Sequence, residues 1–189
     1  MVVNKKVSIQ LSLGGHSFSK DILPKGIDEA EVVEVIVSTP RVTLAPREEV
    51  SLDTAEQLLQ LVGKRCLDGE VSVCSELQED IVAVMAIERT TLEYIVERFG
   101  SKAKFNSPLL DMRHSEERCL TVDWCDEVCY MRLFDEGLQR AEAIPMATAD
   151  DLLYNIVEWI GDNEMPIYIK GERKVAKLLA RYFERVVCE

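Results

Sequence analysis

Four residues with metal-binding chemistry fall close together in this chain: His114, Cys119, Cys125 and Cys129, spaced H-x4-C-x5-C-x3-C. Thiolate and imidazole are good zinc ligands, but structural zinc sites draw them from short, regular spacings. This spacing matches none of them. A strand through 125–129 would put Cys125 and Cys129 on one face, although a turn at Asp126 breaks that register. With Cys66, Cys74 and Cys188 there are six cysteines, and reduced thiols packed as small hydrophobes are the plainer expectation. A metal or redox protein stays as one alternative. His16 reads as a solvated turn residue. No Ser/His/Asp or Cys/His pair has the strand–turn–helix context of an activated nucleophile.

A second group points to phosphate chemistry. Glycine turns let backbone N–H groups face a phosphate, and a strand-end carboxylate can hold a hydrated divalent cation. Gly14-Gly15 supplies the turn, but Ser12 and Leu13 stand where the Asp is wanted. Asp123 supplies the carboxylate, but Trp124 and Cys125 follow it, and a Trp obstructs the close approach that glycine allows. Gly171 is a single glycine ahead of the last helix, followed by Glu172. Each place keeps part of a phosphate loop, and an ordinary hairpin turn and a strand-end polar residue are the plainer explanation.

The third feature is a charge pattern. Arg173, Lys177 and Arg181 recur every four residues, with Lys170, Lys174 and Arg185 nearby, while Val175, Leu178, Leu179 and Phe183 form the apolar side. One helix stripe is therefore basic in a chain of 189 residues with 22 basic and 34 acidic residues, net −12. Such a stripe is either a solvated face or a docking patch for an acidic partner, a second copy included. The acidity is shared: residues 1–100 hold 10 basic and 17 acidic side chains, residues 101–189 hold 12 and 17. Net negative charge argues against nucleic acid, whose binding rests on neutralising phosphates.

These residues must be positioned by a regular series of elements. Lys6–Leu13 alternates apolar and polar as a half-buried strand, which also argues against a signal peptide after Lys5-Lys6. The expectation is a cytoplasmic protein with no membrane insertion, since no apolar run approaches the ~20 residues of a span. Ser17–Ile22 returns as a second strand, Glu31–Ser38 is a third, and RVTLA is extended between Pro40 and Pro46. Asp53 or Thr54 caps a helix through Val62, and a polar connection with an Asp68-Gly69 turn follows. Asp80–Ile87 is a buried strand, Thr90–Phe99 a helix ended by Gly100, and Lys102–Phe105 a short strand. Beyond it come strands at Cys119–Asp123, Glu127–Phe134 and Leu138–Ile144, with Asp135-Glu136-Gly137 as a turn. A helix starts at Thr148, Pro166–Ile169 is a strand, Glu172–Phe183 a helix, and Val186-Val187 extends again.

The two halves can be laid on each other. Thr54–Leu59 matches Thr148–Leu153 at a shift of 94, and Glu88–Phe99 matches Glu172–Phe183 at a shift of 84. The longer connection at 64–77 absorbs the difference. The repeated order βββαβα gives an α/β chain of two ribonuclease H-like units, residues 1–106 and 107–189, joined in a compact actin-like architecture of the Hsp70, actin and sugar-kinase type. A ribonuclease H-like nuclease would need carboxylates converging on two metals. Asp123 is suitably placed, but Asp150 and Asp151 read as helix-dipole partners.

The stretches LSLGGHSFS, EVIVSTPRVTLAPREE and CLTVDWCDEVCYMRLFDEGLQRAEAIPMATADDLLYNIVEWI resemble a family of uncharacterised bacterial proteins of actin-like fold. The similarity spans nearly the whole chain, and its members are usually longer. In that family each half opens with a strand-turn-strand, and a TPRVTLAP-like segment precedes the first helix. The shared motifs are not catalytic, so the resemblance implies fold more than activity. At fold level it extends to cytoplasmic actin-like scaffolds of pilus and secretion assemblies. On that footing Gly14, Gly15, Asp123 and Gly171 are vestiges of phosphate and adenosine loops, for which the fold would want a glycine pair where Gly171 stands alone. The expected role is a non-catalytic scaffold or protein-interaction module without a bound cofactor, meeting its protein partner or a second copy through Lys170, Arg173, Lys174, Lys177 and Arg181. The alternative is an ATP- and Mg²⁺-binding, weakly hydrolysing protein of the same fold.

Overall fold

The run CLTVDWC-DE-VCYMRLF carries too little polarity for a surface hairpin, because nearly every residue of both strands has to be buried. A computed structural model of the chain describes residues 6–11, 24, 26–51, 53–76, 80–125, 127–146, 148–161 and 164–189. In it these residues form β7 (Cys119–Cys125) and β8 (Val128–Phe134), antiparallel, with Cys125 facing Val128 across a two-residue loop. Both strands lie inside a five-stranded sheet. The chain divides into two compact units, Met1–Leu110 and Asp111–Glu189.

In the second unit β9 (Leu138–Pro145) pairs antiparallel with β8. The Asp135–Gly137 turn uses positive φ at Glu136 and Gly137, 53° and 109°, and a register shift follows at Leu133/Phe134. Helix α3 (Ala149–Trp159) leads to β10 (Ile167–Lys170), which runs parallel to β7, and α4 (Arg173–Leu179) leads to β11 (Val186–Cys188), parallel to β10. The sheet order β11-β10-β7-β8-β9 therefore places the first strand at the centre, with its two hairpin partners on one side and the two helix-connected strands on the other. One sheet face (Leu120, Val122, Cys129, Met131, Ile167, Ile169) packs on α3 through Leu152, Ile156 and Trp159 and on α4 through Val175 and Leu179.

The start of α3 is secured by a reciprocal cap. The Asp151 N–H donates to Thr148 Oγ1 at 3.2 Å, and the Thr148 N–H donates to Asp151 Oδ2 at 2.9 Å. Two of the helix's orphan donors are satisfied this way. Helix α4 ends at Leu179, one turn before the expected Phe183. The chain continues in tighter turns, with Arg181 N donating to Leu178 O and Tyr182 N to Leu179 O, until Phe183 re-enters the core.

In the first unit the described strands form two sheets of three. Strands β1 (Lys6–Leu11), β2 (Val32–Val37) and β6 (Ala103–Asn106) run parallel with β2 central. Strands β3 (Val42–Pro46), β4 (Glu70–Cys74) and β5 (Ile81–Glu88) are antiparallel with β5 central. Helix α1 (Ala55–Leu61) buries Ala55 and Leu59 on Val84 and Ala86 of β5, and α2 (Arg89–Phe99) follows β5 directly. The sequence matches join elements in the same order, α1 to α3 and α2 to α4, but the strand pairing differs. β10 pairs parallel with β7, whereas its counterpart β5 is flanked by two antiparallel strands. The run IVAVMAI is buried on both faces, and β3 and β4 supply the hydrogen bonds that such a strand needs. Strand β4 falls inside the stretch expected to be a plain connection. Helix α1 is not capped by the Thr54 side chain either; Ser51 Oγ accepts the Thr54 N–H at 3.2 Å and Ser51 N–H donates to Thr54 Oγ1 at 2.8 Å. The expected return strand Ser17–Ile22 lies outside the described residues.

Candidate functional site

Asp123 is the residue on which any phosphate or metal reading turns. It sits on β7 opposite Tyr130 of β8, on the sheet face away from α3 and α4. Alternation puts Thr121 on that face two residues back, and Arg132 of β8 is the cross-strand partner of Thr121. The Arg132 guanidinium donates to Asp123 Oδ2 at 2.9 Å and through Nε to Thr121 Oγ1 at 2.8 Å. Arg132 is 1% exposed and Asp123 4%. A buried carboxylate in contact with a buried guanidinium is already neutralised by a group that cannot lose its charge. To hold a hydrated cation Asp123 would have to give up this contact and leave Arg132 without it.

Gly171 follows β10, which pairs with β7 so that Lys170 faces Asp123. Its φ is +148°, and a Cβ added there would lie 3.0 Å from Trp124 Cβ and 3.4 Å from Trp124 O. The glycine therefore admits the Trp124 backbone, and the ends of β7 and β10 close on each other at the place where a phosphate loop would need open N–H groups. Gly14 and Gly15 lie outside the described residues, as does His16. The residues described around Asp123 and Gly171 do not fit a magnesium nucleotide.

The basic stripe is where the sequence places it. Lys170, Arg173, Lys174, Lys177 and Arg181 are all exposed. Lys174 pairs with Glu172 at 2.6 Å; among the described residues Arg173, Lys177 and Arg181 have no ion-pair partner. Arg181 lies in the turns beyond α4 rather than on the helix.

The cysteines do not converge. Cys119 and Cys125 lie on the Asp123 face of the sheet, while Cys129 faces Trp124 across the strands and joins the core under α3 and α4. The antiparallel pairing of β7 with β8 thus separates Cys125 from Cys129. Burial pushes the Cys119 thiol up to about 11, with the Glu117 carboxylate adding to it, and pushes Cys129 higher still. Cys66 and Cys74 are also raised by burial. Thiols held protonated are poor ligands and poor nucleophiles. Among the described residues no group of three or more His, Cys, Asp or Glu side chains is arranged to hold a metal ion. Asp151 is engaged in the α3 cap and Asp150 is exposed beside it, so neither joins Asp123.

Three features were missed at the level of sequence. One is Arg132, whose signal was a lone charge inside the apolar strand VCYMRLF. Another is the clamp around His114, which the sequence offered only as a neighbour of the cysteines: its imidazole stacks on Tyr168 at 3.9 Å between ring centres and 12° between planes. Its Nδ1 meets Glu117 Oε1 and its Nε2 meets Glu189 Oε1, both at 2.8 Å, while Tyr168 donates to Glu117 Oε2 at 2.7 Å. Burial opposes charge on the imidazole, but its hydrogen bonds to two accepting carboxylates outweigh it and its pKa is raised. The third is the pair of exposed apolar side chains Tyr154 and Val157 on α3, 71% and 57% exposed. Among the described residues no helix is long and apolar enough to cross a membrane.

No protein-family model and no curated protein matches the chain. Solved structures do. A Bacteroides thetaiotaomicron protein described as having an actin-like ATPase fold and unknown function superposes with a TM-score of 0.71 at 16% identity, over 85% of this chain and 69% of that one. The AlfA filament bound to AMPPNP gives 0.37 at 16% identity over 52% and 47%. The cytoplasmic domain of EpsL, an inner-membrane component of the Vibrio cholerae type II secretion system, gives 0.45 at 13% identity over 87% and 81%. The last two scores are too low to bear on the fold. The first is a likeness of fold, and the chain has the actin-like ATPase fold.

Proposed function

We propose that this chain is a non-catalytic scaffold or protein-interaction module on an actin-like fold, with a degenerate nucleotide site. The observation that carries this reading is the buried contact of Asp123 with Arg132. A carboxylate spent on a guanidinium inside the sheet is lost to a cation, and the packing of Trp124 on Gly171 removes the open backbone that phosphates need. The unpartnered cations of the α4 stripe are the docking patch, because in a chain of net −12 they attract an acidic surface.

Titration calorimetry with ATP and Mg²⁺ tests the reading. No heat of binding is expected up to millimolar nucleotide. Micromolar binding that Asp123→Asn abolishes while the far-UV spectrum is kept would overturn it in favour of an ATP-binding protein. Asn is the right variant because it still offers an acceptor to Arg132.

A further inference from the structure

Helices α3 and α4 lie on the same side of the five-stranded sheet and expose faces of opposite charge. On α3 the exposed residues are Asp150, Asp151, Tyr154, Val157 and Glu158. At 100° per residue they fall within about a third of the helix circumference, with Tyr154 at the centre. On α4 and the turn after it the exposed face holds Arg173, Lys177 and Arg181, with Tyr182 54% exposed at its end. Among the described residues Asp150 and Glu158 have no ion-pair partner, and no ion pair joins α3 to α4. The two faces of opposite sign therefore lie on one side of the sheet.

We infer that this helix layer is the contact between two copies of the chain, with α3 of one copy lying on α4 of the other about a two-fold axis. This deepens the scaffold reading by naming the occupant of its docking patch, and rests on that reading for the patch alone. A simply acidic partner would satisfy α4 but would meet the like charge of Asp150, Asp151 and Glu158 beside it. A second copy brings both signs. A two-fold operation sets each acidic face against a basic one, since an isologous interface pairs a surface with itself. Tyr154, Val157 and Tyr182 then supply apolar contact within the charged frame, and tyrosine is enriched at such interfaces. The helices span about 16 Å and 10 Å, so the buried area is at the small end of specific contacts, and the dimer is weak and sensitive to salt.

Sedimentation of the full chain from about 1 to several hundred micromolar tests this. A reversible dimer is expected at low salt, weakened about tenfold or more at high salt. The pair Asp150→Lys and Glu158→Lys, and separately the pair Arg173→Glu and Lys177→Glu, each weaken association about tenfold or more, while all four together restore it to within a few fold. These side chains are exposed, so circular dichroism should be unchanged. A monomer throughout the range, or association that ignores both pairs, overturns the inference. Nucleotide binding lost in Asp123→Asn would sink the scaffold reading and leave a rescued dimer standing; a monomer that binds no nucleotide sinks the dimer alone.

Discussion

The Arg132 guanidinium stands 2.9 Å from the Asp123 carboxylate, with their side chains 1% and 6% exposed. Both charges sit on central strands of one sheet, and Arg132 also holds Thr121. An ion pair so placed contributes little net stability, because desolvation offsets attraction. Its consequence is asymmetric: removing Arg132 leaves the Asp123 carboxylate buried without its guanidinium, while removing Asp123 leaves Arg132 bonded to Thr121.

Arg132→Met should therefore cost about 3–5 kcal/mol by urea unfolding. The double change Asp123→Leu with Arg132→Met should recover most of that loss. A single change costing under about 1 kcal/mol would show that water already reaches the pair.

Gly171→Ala tests the second closed position. A methyl group there meets Trp124 Cβ at 3.0 Å in a backbone conformation of φ +148°. The expected loss is about 1–3 kcal/mol, part steric and part backbone strain. Trp124→Ala keeps the Cβ, Cα and carbonyl oxygen that the added methyl would meet, so it should not relieve the strain and the two changes should be close to additive. Thermal melts of the four members of the cycle measure this. Marked compensation in the double variant would mean that the indole ring, and not the atoms alanine shares with it, opposes the added methyl.

The second unit was more legible than the first, and the reason is physical. Its strands and helices carry strong local signals: Asp135-Glu136-Gly137 for a turn, Thr148 with Asp151 for a cap, and apolar spacing on α3 that fixes its buried face. In the first unit β4 reads Glu-Val-Ser-Val-Cys, a short alternation that a polar neighbourhood masks, and pairing across a sheet leaves no local trace. The same holds for the site. Asp123 was visible as a strand-end acid, but its meaning depends on Arg132, nine residues away on the next strand, and cross-strand register decides that they meet. Cys125 and Cys129 obey the same rule: Cys125 pairs with Val128 and Cys129 with Trp124, so they fall on opposite faces, as a break in the strand between them requires.

The α3 cap offers a smaller, cleaner test. Thr148→Ala removes the acceptor for the Asp151 N–H and should cost about 1 kcal/mol. Asp151→Asn keeps an acceptor for the Thr148 N–H but loses the charge at the helix start, and should cost less. Chemical unfolding of the two variants ranks them, and the reverse order would mean that the dipole outweighs the hydroxyl.

The His114 cluster sets a pH dependence. Burial works against the imidazolium, but Glu117 and Glu189 hold it at 2.8 Å on either side, and the net effect raises its pKa above the ordinary value of about 6.5. The folded state therefore keeps a proton that the unfolded chain releases first. The stabilisation is fully present below about pH 6.5 and is lost as pH rises through the folded-state value. On the acid side Glu117 sets the limit, since the His114 and Tyr168 hydrogen bonds hold its carboxyl below the usual range, and protonating it removes one wall of the clamp. Arg113 contacts Glu189 at 3.3 Å and Asp111 at 2.6 Å, while Arg185 acts on Glu117 from a distance, so positive charge faces both carboxylates of the clamp. The stability difference between the wild type and His114→Gln, measured by urea unfolding from pH 4 to 9, should peak on the acid side of neutrality and shrink toward pH 9. Glu189 N also bonds Ile169 O beyond the end of β11, so the protection of β11 amides relative to their intrinsic exchange rates should fall over the same rise in pH. A difference that grows with pH would mean that the imidazole is held neutral, with the carboxylates bound elsewhere.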